Sequence, residues 1–254
     1  MSDMTSFERF KAEATDCLEN AASVFKWLDK PGDLFQCKPD ALKKGTFYLM
    51  GFNPGGKPAG QCTLRRTLER TLIVHGGQAH PLRPGGKGKG WKRGWRNLDT
   101  LATALNIENW QSDLFITNLF PDISPRETCW DENHKGNLAT FSAAIWPIHM
   151  LMLGIVQPDT IICHGKRAFY SVTRCLGLEE CPLASAKFGR YVLRSARPSR
   201  ADTSSSWESK VFVVGLPHLS RYSPSNSERA IALQAILGTR SKLGARLGDP
   251  HPLI

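Results

Sequence analysis

Thr46-Phe47-Tyr48-Leu49-Met50-Gly51-Phe52-Asn53-Pro54-Gly55 is the stretch on which the fold turns. Its apolar first half reads as a buried strand. The strand opens into Gly-x-Asn-Pro-Gly, a turn that lifts one carboxamide to the mouth of a sheet, with Pro54 and Gly55 fixing the chain and keeping bulk away. A second element has the same shape. Lys210-Val211-Phe212-Val213-Val214-Gly215-Leu216 is apolar and opens into Pro217-His218-Leu219-Ser220-Arg221-Tyr222-Ser223. Between them, Asp113–Asn118 and Thr160–Cys163 read as two further strands, and 190–194 as an additional one. Helical periodicity runs over residues 5–29, 63–72, 97–106, 137–156 with a break or kink at Pro147, 166–175 and 226–238. Four apolar strands alternating with helices predict an α/β fold, three-layer α/β/α, around a central mainly parallel four-stranded sheet. Two strand ends presenting Asn53 and His218 then place a site at the carboxyl edge of that sheet.

Outward from this core, 254 residues suit one domain: an N-terminal helical cap over 1–44, the α/β core over 45–242 and a tail over 243–254. The formal net charge of +10 favours a polyanionic partner. No stretch reads as a membrane span, and Met1–Thr5 is polar where a secretory leader is basic and then apolar, so a cytoplasmic protein with no membrane partner is expected. The seven cysteines are odd in number, scattered and without a C-x-x-C pair. They read as reduced thiols, with a cluster assembled from distant cysteines as the alternative. Gly51-x-x-x-x-Gly56-Lys57 begins like a phosphate-binding loop, but Pro58 stands where a Mg²⁺-binding hydroxyl is required and Pro54 removes a backbone donor. No cofactor and no metal are expected.

The turn Gly51-Phe52-Asn53-Pro54-Gly55 resembles the G-x-N-P-G motif of the mismatch-specific and single-strand-selective branches of the uracil-DNA glycosylase superfamily. Pro217-His218-Leu219-Ser220-Arg221-Tyr222 is similar to that family's second motif. Phe115-Ile116-Thr117-Asn118-Leu119-Phe120-Pro121 is similar to its base-reading strand, and Thr160-Ile161-Ile162-Cys163-His164-Gly165-Lys166 to its strand–glycine–helix step. Order and spacing agree over about residues 45–240. The resemblance implies a monofunctional glycosylase that flips a pyrimidine out of single- or double-stranded DNA and hydrolyses its glycosidic bond. Asn53 would orient the attacking water and His218 would donate to the base oxygen that gains charge. Asn118 would read the base edge with a donor and an acceptor. Gly51, Phe52, Pro54 and Gly55 would line the base, with Phe120 or Arg66 as its stacking platform. An amide is a weaker base than a carboxylate, so turnover is expected to be modest. The protein is expected to act as a monomer.

Several segments look made for DNA. Arg221 or Tyr222, with Ser220 beside them, would enter the duplex as a wedge. Lys166 and Arg167 open a helix, where backbone donors favour phosphate. Arg83–Arg96 holds Lys87, Lys89, Lys92 and Arg93 with Trp91 and Trp95 and no acid. Too glycine-rich for a helix or strand, it reads as a phosphate- and base-contacting loop. Each feature also has a plain structural reading: Asn53 as a turn former, Asn118 as a loop former, His218 as a structural histidine, the charges as solvated surface. The chain departs from the family at Leu219, where proline is usual, and lacks an aromatic over residues 57–70. Gly55 stands where the most uracil-selective branch has tyrosine, which leaves room beside C5 of the base. Uracil or a C5-modified pyrimidine is therefore the expected target. A glycosylase for bulky modified cytosines of phage DNA, acting in antiviral defence, and a catalytically silent nucleic-acid-binding protein of the same fold are the alternatives.

Overall fold

The computed structural model describes residues 6–37, 41–45, 47–53, 63–73, 89–124, 137–181, 187–188, 191–192, 194–197 and 211–218. In chain order the strands are β1 (Phe47–Gly51), β2 (Phe115–Asn118), β3 (Thr160–His164), β4 (Glu179–Cys181), β5 (Lys187–Phe188), β6 (Tyr191–Val192), β7 (Arg194–Arg197) and β8 (Phe212–Leu216). The helices are α1 (Ser6–Phe25), α2 (Leu64–Ile73), α3 (Lys89–Ala104), α4 (Trp110–Asp113), α5 (Leu138–Val156) and α6 (Lys166–Cys175). The main sheet has the order β2-β1-β3-β8-β7-β4. Its first four strands are parallel, as their apolar runs predict, and the structure is an α/β fold. Two antiparallel strands, β7 against β8 and β4 against β7, extend the sheet to six. Their residues, Glu179-Glu180-Cys181 and Arg194-Ser195-Ala196-Arg197, carry no apolar run. Ladder hydrogen bonds at the sheet margin hold them there, which is why four strands and not six are readable from hydropathy.

Every residue of β1 and β8 is buried. Successive side chains face opposite sides, so both faces of the sheet are covered. On one face, Tyr48 lies against α5: its hydroxyl reaches Nδ1 of His149 at 3.4 Å and the sulfur of Met152 at 3.9 Å. The Phe115 ring, opposite Tyr48 in register, extends this layer to Phe35 and so to Phe10 of α1. α1 packs on α5. α5 has 19 residues and no Asp, Glu, Lys or Arg, so it is long and apolar enough to cross a membrane by length and composition. That corrects the expectation that no stretch has this character. Within this fold its Ile145, Ile148, His149, Met152 and Leu153 are buried core, and Pro147 sits inside an uninterrupted helix.

The segment 31–37 does more than cap. It runs along the free edge of β2, with isolated bridges Gly32↔Asp122 and Phe35↔Thr117. Gln36 N–H donates to Ile116 O at 2.8 Å, and Asp33 N–H to Pro121 O at 2.8 Å. Cys37 closes the ladder with its thiol, which accepts from Ile116 N–H at 3.2 Å and donates to Ile116 O at 3.4 Å. Burial pushes that thiol up to about 12, so it stays protonated and inert. An edge that would otherwise offer unpaired backbone groups is thereby covered.

The glycine-rich stretch is a second correction. Lys89–Arg96 is the first half of α3, not a loop. Gly94 lies in the helix interior, where glycine costs about 1 kcal/mol, and Gly90 lies in the first turn. Trp91, Trp95, Leu98, Ala102 and Leu105 recur at helical spacing, and Leu98 and Ala102 are buried. Once that apolar stripe anchors the C-terminal half, each added residue gains a helical bond at no new nucleation cost.

Candidate active site

The strand order β2-β1-β3 reverses the direction of winding between β1 and β3, and ligands of doubly wound sheets bind in the crevice at such a reversal, outside the carboxyl ends. Four segments end there. Gly51 closes β1, Asn118 lies opposite it at the end of β2, His164 ends β3 beside Leu216 of β8, and His218 follows β8 by two residues. The registers put Gly51, Asn118 and His164 on one face of the sheet, side by side.

Gly51 is where the site is made possible. A Cβ on this residue would stand 2.6 Å from Nε2 and 2.8 Å from Cε1 of His164, and closer still to Oδ1 of Asn118. Both polar side chains therefore fold over the bare Cα. Asn118 is buried at 4% exposure, and its Nδ2 has no hydrogen-bond partner; Nδ1 of His164 is likewise enclosed and unpartnered. The rings of His164 and His218 meet edge to face at 5.0 Å between centroids. Burial, and then the charge of His218, lower the His164 imidazole to about 3, so it is neutral at ordinary pH.

The turn after β1 is tied to the loop after β2. Leu119 N–H donates to Gly51 O and Phe120 N–H to Phe52 O, both at 2.9 Å. Asn53 Nδ2 donates to Ser124 O at 3.2 Å, which orients the carboxamide. Phe52 and Phe120 meet edge to face at 5.2 Å, and both are buried core residues, at 1% and 0% exposure. The Phe120 ring thus packs on Phe52 and offers no open face for stacking. The Arg167 guanidinium lies 4.4 Å from the Phe52 ring centroid, which draws the start of α6 to the Asn53 turn. Lys166 is exposed, with Nζ 5.6 Å from the Tyr170 ring centroid. Below the site, His149 Nε2 lies 2.8 Å from Leu119 O. A carbonyl only accepts, so Nε2 carries the proton and Nδ1 accepts from Tyr48. Burial lowers this imidazole to about 4. His149 is a support for the Asn118 loop.

The structure therefore brings Gly51, Phe52, Asn53, Asn118, Lys166, Arg167 and His218 to one edge. Pro54, Gly55, Lys87, Ser220, Arg221, Tyr222 and the helix expected over 226–238 lie outside the described residues. So do the side chains of Lys89, Trp91, Lys92 and Arg93. His164 is the residue that sequence reading passes over. Its only signal is position: it ends its strand as Gly51 and Asn118 end theirs. Among the described residues no group of three His, Cys, Asp or Glu is placed to hold a metal ion. No protein-family model matches the chain, and no curated protein matches it.

Proposed function

We propose that this chain is a monofunctional DNA glycosylase of the uracil-DNA glycosylase type, which hydrolyses the glycosidic bond of a pyrimidine flipped out of DNA. One observation carries the reading: an amide and a neutral imidazole, both with unpartnered buried nitrogens, converge over a glycine between the motif residues Asn53 and His218. That set suits a flat heterocycle with alternating donors and acceptors. Asn53, held at its Nδ2 by Ser124, would accept from a water through its carbonyl oxygen. The water oxygen would bond to the anomeric carbon as the carbon–nitrogen bond breaks and the electron pair leaves with the base; one water proton would be released to solvent, from which the departed base takes one up. His218 would donate to the base oxygen that gains this charge. The net charge of +10 suits a DNA partner, and the cationic start of α6 suits a phosphate at the rim.

The test is alkali-revealed strand cleavage on labelled oligonucleotides, single- and double-stranded. They would carry uracil, a thymine mismatch, hypoxanthine, 5-hydroxymethylcytosine or its glucosylated form. Abasic sites that disappear in the Asn53→Ala, His218→Ala double variant, with DNA binding kept, bear the reading out. DNA binding with no abasic site on any base would replace it with that of a binding protein.

A further inference from the structure

We infer that His164 is a base-contacting residue of this site, reading the polar edge of a pyrimidine together with Asn118 across the bare Cα of Gly51. The inference rests on the proposed glycosylase reading for its ligand, and on the geometry for its place. The register sets Asn118 and His164 two strands apart on one face with only Gly51 between them. A side chain on Gly51 would evict both. Leaving a buried polar atom unsatisfied costs about 1–3 kcal/mol. Here two such atoms, Nδ2 of Asn118 and Nδ1 of His164, sit in adjacent side chains at the crevice where the winding reverses. A ligand with matching groups removes that cost.

The chemistry of the pair sets the ligand class. Asn118 brings a carbonyl oxygen and an NH₂. A neutral His164 brings one N–H and one lone pair, and its low proton affinity keeps it in that form. These groups, donors and acceptors from two side chains, are enough to match the three polar groups of a pyrimidine edge, at O2, N3 and C4. Sugar and phosphate present acceptors and isolated hydroxyls, and would leave half of these groups unmatched. Charge on His164 is not needed for this role.

The experiment uses the full chain and ¹⁵N-histidine NMR. The probe is a short single-stranded oligonucleotide carrying 2′-fluoro-2′-deoxyuridine, or its cytidine counterpart, which resists cleavage. Binding is expected to shift the ring-nitrogen resonances of His164 while they stay those of a neutral imidazole. His164→Phe is expected to bind the probe about tenfold more weakly, as for one lost hydrogen bond of about 1.4 kcal/mol. His164→Asn, which keeps a polar atom near Nδ1, should recover part of that loss. His164 resonances unmoved at saturation would overturn the inference whatever the variants do, and so would a folded His164→Phe protein with wild-type affinity. A shift at His164 in a protein that makes no abasic sites would sink the glycosylase reading and leave the base contact standing.

Discussion

Gly51 lacks a side chain, and that absence is the most informative residue-scale feature of the site. Gly51→Ala would place a methyl group within 3 Å of both Asn118 and His164. We expect a loss of about 1–3 kcal/mol in urea unfolding, the usual range for overpacking. Abasic-site formation should fall at least as far as it does in Asn118→Ala. Asn53→Ala removes the hydrogen bond to Ser124 O among this side chain's contacts; it should cost about 1 kcal/mol of stability for each bond lost while abolishing turnover. A stability loss without a rate loss would make Asn53 a turn former. His149 supplies a pH test. Its ordinary value near 6.5 is lowered to about 4 in the folded protein. Between those limits the unfolded chain takes up a proton that the folded chain refuses. The contribution of His149 to stability is therefore intact above about pH 6.5 and falls by about 1.4 kcal/mol per pH unit on acidification to about pH 4. His149→Gln removes this linkage. The stability gap between wild type and variant should narrow by that slope when unfolding is compared at about pH 7 and about pH 5. His164, also lowered, and Asp33, which burial raises to about 7, titrate in both proteins and cancel in the difference.

At the scale of elements, α6 and β8 are locked through another glycine. A Cβ on Gly215 would stand 3.0 Å from Cδ2 and 3.1 Å from Cγ of Phe169, whose ring is fully buried and packed against Tyr170. Gly215→Ala should cost about 1–3 kcal/mol. The melting temperature should then fall by about 2–4 °C per kcal/mol, read by calorimetry. Because α6 carries Lys166 and Arg167, DNA affinity should fall with it; unchanged affinity would detach the start of α6 from DNA contact. The elements differ in how far sequence announces them. β1, β2, β3 and β8 are continuous apolar runs, since a parallel strand buried on both faces has no polar side to show. β4 and β7 are polar and exist because β8 has an open edge to pair with. The first half of α3 contradicts its own glycines and extends from a second half anchored by the buried Leu98 and Ala102.

For the whole molecule, the charge of +10 predicts binding that weakens steeply with salt. A plot of log affinity against log salt should have a slope of about −0.7 per phosphate contact on single strands and about −0.9 on duplex. Lys166→Ala should reduce the slope by about one contact without changing which base is cut. An unchanged slope would make Lys166 ordinary surface. Core and site are one structure here. The Asn118 loop is tied to the Asn53 turn by backbone bonds, to segment 31–37 by Asp33 N–H, and to α5 by His149. Disturbing any one of the three should move Asn118.

Hydropathy and turn chemistry alone determined the parallel core of this protein. They also named Asn53 and His218, which stand in the turns that follow two apolar strands; Asn118 is named by the resemblance of its strand and not by pattern. Tertiary structure decided what no local pattern encodes. Strand order put β1 between β2 and β3, so residues distant in the chain became lateral neighbours. Register set a glycine between an amide and an imidazole and so turned His164 from a strand-end residue into part of the site. Such neighbours are created by hydrogen-bonded pairing between strands, and pairing partners are chosen by the packing of the entire sheet.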